Sequence, residues 1–293
     1  MRARHGAAFR NVVVLVTALA LAGCIKSAGS ARLDVEPAVS LPDSIALGQP
    51  FEATFTWQPG TEFAPPGVDY RVFVHVRNER GDLLFQDDHL PPVPTSQWAA
   101  GKEVVYRRWI YPPGAVRADR LDVHLGLYDG SSRVRLRWQG GWQASPLVHR
   151  VKVRTEDRSG IPMAVHGWYP QEKKSTPTET FHWTNGHAIA AFRNPRHAAV
   201  LHLRALSPVD RLQGAQSIKL LLGKHDIADL EVTDTTPFAE HIPIPAEAFG
   251  DDDWVELHID SSPRLVPEEA RSKAGDARIL GLQIFTLYLA VGS

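Results

Sequence analysis

The sequence predicts an all-β protein built as two antiparallel β-sandwich domains. Three observations lead there. Apolar and polar residues alternate with period two in short runs, Gly-, Pro-, Asn- and Asp-rich turns separate those runs at regular spacing, and the first half has no stretch with three clear helical turns. The length of 293 residues suits two domains of roughly 100–150 residues, each able to bury a core. With 43% hydrophobic and 22% charged residues the chain sits near globular averages, which excludes disordered and collagen-like chains. Lys+Arg 32 against Asp+Glu 33 leaves a formal charge of −1 and removes any generic electrostatic case for nucleic acid.

The N-terminal 23 residues read as an export signal. Arg2, Arg4 and Arg10 precede the apolar run Val12–Ala22, with no acid nearby. That run has 11 residues, and a helix crossing hydrocarbon needs roughly 20. A basic start, a short apolar run and small residues at its end describe a leader that is removed. The sequence Leu21-Ala22-Gly23-Cys24 resembles the bacterial lipoprotein lipobox, and the only cysteine of the chain stands where that motif needs one. The resemblance implies lipidation of Cys24, cleavage before it, and acylation of the new amino terminus. Two or more acyl chains hold a protein stably on a membrane. Ile25, rather than an aspartate, follows the cysteine. By the enterobacterial sorting pattern this favours the outer membrane over the inner, with the protein facing the periplasm or the surface. Residues 24–32, rich in Ser, Ala and Gly, form the tether.

Residues 33–153 are the first sandwich. In Phe51–Trp57 the residues Phe51, Ala53, Phe55 and Trp57 share one face. Further strands are expected at Tyr70–Val76, Leu83–Gln86, Glu103–Trp109, Leu121–Tyr128 and Val134–Trp138. The turn Asp129-Gly130-Ser131-Ser132 joins the last two, and the Pro91–Pro94 and Pro112–Gly114 joints cannot lie in central strands. This spacing argues for an immunoglobulin-like order. Residues 154–166 are the expected linker. Residues 167–293 form a second, jelly-roll-like sandwich, with strands at Phe181–Trp183, Ala188–Phe192, Ala199–Ala205, Ser217–Leu222, Asp229–Val232, Ala239–Ile244, Trp254–Ile259 and Ile279–Val291. There is room for one short helical turn at Pro267–Lys273.

Both halves carry short motifs with relatives elsewhere. Phe73-Val74-His75-Val76, Gln86-Asp87-Asp88-His89, Pro94-Thr95-Ser96-Gln97-Trp98, Gly101 and Gly126-Leu127-Tyr128-Asp129 stand in the first. Together they resemble an extracytoplasmic β-sandwich region attached to some bacterial membrane glycosyltransferases. Gly167-Trp168-Tyr169-Pro170, Phe181-His182-Trp183-Thr184 and Asp276-Ala277-Arg278-Ile279-Leu280-Gly281 are similar to a second sandwich module of bacterial glycan-assembly proteins. The multi-span catalytic part of those transferases is missing from this sequence. The resemblance therefore implies an accessory role near surface glycans.

No catalytic signature emerges. Gly-x-Ser-x-Gly, His-Glu-x-x-His, an EF-hand loop and a phosphate-binding Gly loop are all absent from the sequence. No catalytic residue, metal ligand or cofactor is assigned. Gln86-Asp87-Asp88-His89 is the densest polar cluster; a strand-end turn accounts for it better than a cation or acid–base site. Asp251-Asp252-Asp253 is read as a solvated turn beside Trp254 rather than a calcium loop. Trp168, Tyr169 and Trp183 are the candidate glycan-stacking residues, near Glu172, His182 and Asn185; Trp98 and Trp142 also lie near turns. The competing reading is that such rings are core anchors, and it is the one preferred for Trp57 and Trp109. The expected function is a non-enzymatic binding or scaffolding module of the cell envelope, partnered by the membrane through its lipid and by a glycan or an envelope protein. The alternatives are a carbohydrate-active hydrolase and a purely structural subunit of an envelope complex.

Overall fold

In the computed structural model, which describes residues 31–113, 118–130, 132–154, 160–173, 179–212, 214–266 and 278–291, the period-two runs become strands. The lipobox Leu21–Cys24 and the helical turn at Pro267–Lys273 lie outside the described residues. The first sandwich has one layer of β2 (Val35–Ser40), β4 (Phe51–Pro59) and β7 (Val104–Ile110), in the order β2-β4-β7. Its other layer holds β3 (Ser44–Ile45), β11 (Leu147–Val153), β8 (Arg120–Tyr128), β5 (Arg71–Arg77) and β6 (Leu83–Gln86) in the order β3-β11-β8-β5-β6. This is the immunoglobulin-like arrangement. A small sheet of β1 (Arg32–Leu33), β9 (Arg135–Trp138) and β10 (Gly141–Gln143) closes one end. The expectation of purely antiparallel pairing needs a correction at two edges: β1 runs parallel to β9, and β3 parallel to β11. Two-residue edge strands of this kind cover an edge that would otherwise offer unpaired backbone groups.

Alternation on β4 fills the first core. Ala53, Phe55 and Trp57 are fully buried while Glu52 is exposed. The Trp57 ring meets that of Trp98 with centroids 5.6 Å apart, and the Trp98 indole donates to the Val93 carbonyl at 2.9 Å. Trp98, expected near an exposed turn, is therefore a core anchor: it is 2% exposed. On β8, Gly126 stands opposite Phe73, whose ring occupies the space a Cβ would need, 2.3 Å away.

The second sandwich is one continuous nine-stranded sheet folded into two layers. One layer runs β12 (Met163–Trp168), β14 (Thr180–Arg193), β19 (Trp254–Ser262), β16 (Gln216–Leu222) and β17 (His225–Val232). The other runs β14, β20 (Gln283–Val291), β15 (Ala199–Leu206) and β18 (Phe238–Ile244), with the short β13 (Glu172–Lys173) also paired to β14. The chain crosses between layers from β15 to β16, β17 to β18, β18 to β19 and β19 to β20, a jelly-roll-like path. Leu201, Leu203, Ile218, Leu220, Leu257 and Ile259 fill the space between the layers and are fully buried.

Two expectations change here. Phe181–Trp183 and Ala188–Phe192 are not two strands joined by an Asn185-Gly186 turn but one strand, β14. Gly186 adopts φ +92° and lets β14 pass from one layer to the other. Around that bend, the Gly281 amide donates to the Thr184 carbonyl at 2.7 Å and the Thr184 amide to the Leu282 carbonyl at 2.8 Å. Residues 163–166, expected in the linker, belong to β12 and pair with β14. Among the described residues no helix is long and apolar enough to cross a membrane.

Candidate functional site

The two sandwiches meet at a cleft whose walls are set by strand register. Across β4 and β7, Phe55 faces Tyr106 and Ala53 faces Arg108, so Tyr106 and Arg108 share the inner parity of β7. Trp109 faces Glu52 and takes the outer parity with Arg107. Trp109 is thus not the core anchor expected from alternation. It packs against the second sandwich, stacking on His241 with ring centroids 4.5 Å apart and meeting His202 edge-on at 4.6 Å.

His202 and Arg204 stand on the outer parity of β15, because Leu201, Leu203 and Ala205 point inward to the core. The first sandwich covers that outer face, and His202 is only 1% exposed. Its Nδ1 shares a hydrogen bond of 2.7 Å with Nδ1 of His241, and His241 Nε2 bonds the Tyr111 hydroxyl at 3.2 Å. In the neutral pair one of the two facing Nδ1 atoms carries the proton and the other accepts it. Burial, reinforced by the neighbouring His241, pushes His202 down to about 4. Burial likewise raises the Tyr111 hydroxyl to about 12 against the pull of Arg204 and Arg108, which keeps it neutral.

Beside this latch the cleft opens into a groove of about 610 Å³ that adjoins an inner recess of about 220 Å³. Gln86, Asp87, Tyr111, Glu179 and Arg204 line both. Each sandwich contributes one arginine–carboxylate pair. From the first, Arg108 grips Asp87 with two bonds, Nε to Oδ2 at 2.5 Å and Nη2 to Oδ1 at 3.1 Å. From the second, Arg204 donates to Glu179 and lies over the rings of Phe285, at 4.9 Å, and Tyr111, at 5.6 Å. Burial alone would raise the Asp87 carboxyl. The hydrogen bonds from His89 and Arg108, with the Arg108 charge, outweigh it and hold Asp87 below the ordinary carboxylate range.

The polar cluster Gln86-Asp87-Asp88-His89 does end a strand, and also forms part of the cleft wall. His89 is 5% exposed; its Nδ1 donates to the Asp87 carbonyl at 2.9 Å and its Nε2 bonds the Tyr106 hydroxyl at 2.8 Å. The Asp251–Asp253 turn is held by the buried Asn194, whose amide lies 2.8 Å from the Asp252 carbonyl and 3.1 Å from those of Phe249 and Gly250.

The three predicted glycan-stacking residues fall elsewhere. Trp183 is 8% exposed and packs with Phe181, Leu265 and Leu280, so its expected exposure is corrected: it lies on the inward parity of β14. Trp168 is half-buried against the second core, its indole donating to the Ile189 carbonyl at 2.8 Å. Tyr169 is half-buried too; its hydroxyl donates to the Ile279 carbonyl at 3.0 Å and the Arg278 guanidinium lies over its ring at 5.1 Å. Trp142 is half-buried beneath Arg32. Sequence reasoning missed Arg108, Tyr111, Glu179, Arg204 and His241. A signal for the first was present, since Arg107-Arg108 interrupts the alternation of its strand.

No protein-family profile matches the chain, and no curated relative matches it. Solved structures similar to it include a tandem of carbohydrate-binding modules, CBM22-1 and CBM22-2, from Paenibacillus barcinonensis Xyn10C. That pair is 10% identical, with 90% of this chain and 93% of that chain covered and a TM-score of 0.29. The carbohydrate-binding module CBM36, in complex with calcium and xylotriose, is 10% identical, with 46% and 96% covered and a TM-score of 0.25. The secreted serine protease VesC from Vibrio cholerae is also similar, at 10% identity, 86% and 50% coverage and a TM-score of 0.23. At these values a neighbour's ligand or activity says nothing about this chain.

Proposed function

We propose that this chain is a lipid-anchored, non-enzymatic glycan-binding module of the bacterial cell envelope, with its site in the cleft between the two sandwiches. The observation that carries this reading is the pair of charge-neutralised clamps, Arg108 with Asp87 and Arg204 with Glu179, facing one groove beside the Tyr111 ring. Fixed guanidinium and carboxylate planes offer donors and acceptors side by side, which suits adjacent sugar hydroxyls. Tyr111 and Phe285 add apolar surface to the inner recess beside the Arg204 guanidinium. The groove volume lies within the roughly 300–1,000 Å³ of small-ligand sites.

Asp87 is not placed to act as the proton donor of a hydrolase. A glycoside hydrolase needs a carboxyl that holds its proton near neutral pH, and Arg108 and His89 hold Asp87 ionised. The basic leader, the short apolar run and the lone Cys24 support anchoring through lipid at that residue.

A glycan array probed with the purified protein, followed by calorimetry on the best ligand, tests the reading. Arg204→Ala and Asp87→Asn are each expected to weaken binding by about tenfold or more, with no release of reducing sugar by the wild type. Unchanged affinity in both variants, or an array without binding, would refute the cleft as a glycan site.

A further inference from the structure

The lining of the cleft changes character from its groove to its inner recess. The five residues shared by groove and recess all carry polar groups. The recess alone is lined by Ile110, Pro112 and Pro113 of the first sandwich and by Ile161, Phe285 and Leu287 of the second. Thr180 and Thr286 are the two polar side chains that line only the recess. Proline has no N–H, so Pro112 and Pro113 add no backbone donor to this wall. The wall is held by the Gly48 amide, which donates to the Pro112 carbonyl at 3.1 Å.

Two features of this wall point to an apolar ligand group. Ile161 lines the recess yet stays 40% exposed, so an apolar group entering there releases water from it. Phe285 is the extra residue of a β-bulge, because Arg204 faces Thr286 while Ala205 faces Ile284. A bulge re-aims a side chain. Here it sets the Phe285 ring in the recess wall, edge-on to Phe181 at 5.9 Å and with the Arg204 guanidinium 4.9 Å from its centre.

Charge favours neither an acid nor an amine. Around groove and recess, Arg107, Arg108 and Arg204 stand against Asp87, Asp88 and Glu179. Arg107 also faces Glu52 at 3.6 Å, and burial keeps His241 neutral. The recess, at about 220 Å³, is smaller than the roughly 300 Å³ at which small-ligand sites begin, so it suits a substituent rather than a whole ligand. Resting on the cleft as the glycan site, we propose that the recess binds an apolar acyl substituent of that glycan. The ligand is then an uncharged, acylated sugar. Its hydroxyls meet the two arginine–carboxylate clamps in the groove, and its acyl chain packs in the recess against Ile161, Phe285 and Leu287.

The test is calorimetry of the purified full chain with three uncharged trisaccharides: cellotriose, N-acetylated chitotriose and its N-butanoyl counterpart. The acetylated sugar is expected to bind tighter than cellotriose. The butanoyl sugar should bind tighter still, by about fourfold for each added methylene. Ile161→Ser removes apolar wall and Ile161→Trp fills the recess. Each should cancel the butanoyl gain and leave cellotriose affinity and melting temperature as in the wild type, since this side chain is 40% exposed. In NMR spectra of the butanoyl complex, the acyl methyl protons should show contacts to the Phe285 ring. The acyl proposal is overturned if the butanoyl sugar binds no tighter than the acetylated one, or if both Ile161 variants keep the gain. Arg204→Ala separates this from the cleft reading: it should weaken all three sugars alike, and unchanged cellotriose affinity would refute the cleft. Absence of binding by all three at millimolar concentration overturns both.

Discussion

Protonation of His202 should destabilise the protein in a pH window that the structure defines. The imidazole is 1% exposed, enclosed by Trp109 of the first sandwich and His241 of the second. In the unfolded chain it takes up a proton as pH falls through its ordinary value of 6.5; in the folded chain burial defers this to about 4. Between those values the unfolded state binds more protons, so stability falls as pH falls. The contribution is complete above pH 6.5 and lost by about pH 4, a difference of about 3 kcal/mol at 1.36 kcal/mol per unit. For a chain of this size that corresponds to roughly 6–12 °C in melting temperature. His241 adds in the same direction, since burial lowers it more than Glu52 raises it. Thermal melts of the wild type and His202→Gln, followed by near-ultraviolet circular dichroism from pH 7 to pH 4, measure the difference. Gln keeps a polar partner for His241 and cannot titrate, so its melting temperature should fall by several degrees less across the window. Parallel curves for the two proteins would refute the reasoning.

Two other substitutions test other parts of the molecule. Gly281→Ala would place a Cβ 2.6 Å from the Gly186 backbone, where β14 passes between layers, so a backbone segment must shift. A loss of about 1–3 kcal/mol is expected by urea denaturation, and a variant as stable as wild type would show that the bend is not tightly packed. Cys24→Ser should block incorporation of labelled fatty acid and leave the precursor uncleaved; label entering the variant would exclude Cys24 as the anchor.

Legibility followed the physics of burial. The alternation Phe51-Ala53-Phe55-Trp57 marks the inner face of β4 without ambiguity, because each of those side chains meets the core of its own sandwich. The path of β14 was not legible, since Asn-Gly is a strong turn signal on its own. Here the pairing of Thr184 with Gly281 and Leu282, about a hundred residues away, converts it into a bend within one strand. Val35–Ser40 was missed as a strand because Pro37, a residue that breaks ladders, occupies its middle inward position, and Leu147–Val153 because only Val151 of its residues is fully buried.

The site failed to appear for a different reason. A period-two pattern reports the inside of one sandwich, whereas the latch between the sandwiches is made from two outsides. On β15 the outward residues His202 and Arg204 look like solvent-facing side chains, and so does Arg107 on β7, while Trp109 looks like a core anchor. They become a latch and a binding wall only because one domain covers the other. Such a surface must carry groups compatible with water in an isolated sandwich and with each other in the assembled one. Histidine, tyrosine, tryptophan and a paired arginine meet that condition; leucine and valine do not. The outer face of β15 therefore reads as polar in sequence yet is nearly dry at His202, and that mismatch is what drives the imidazole down to about 4. The same mismatch makes His202 a reporter of the interface: a substitution that separates the sandwiches, such as Trp109→Ala, returns its titration toward 6.5 without touching the core of either domain.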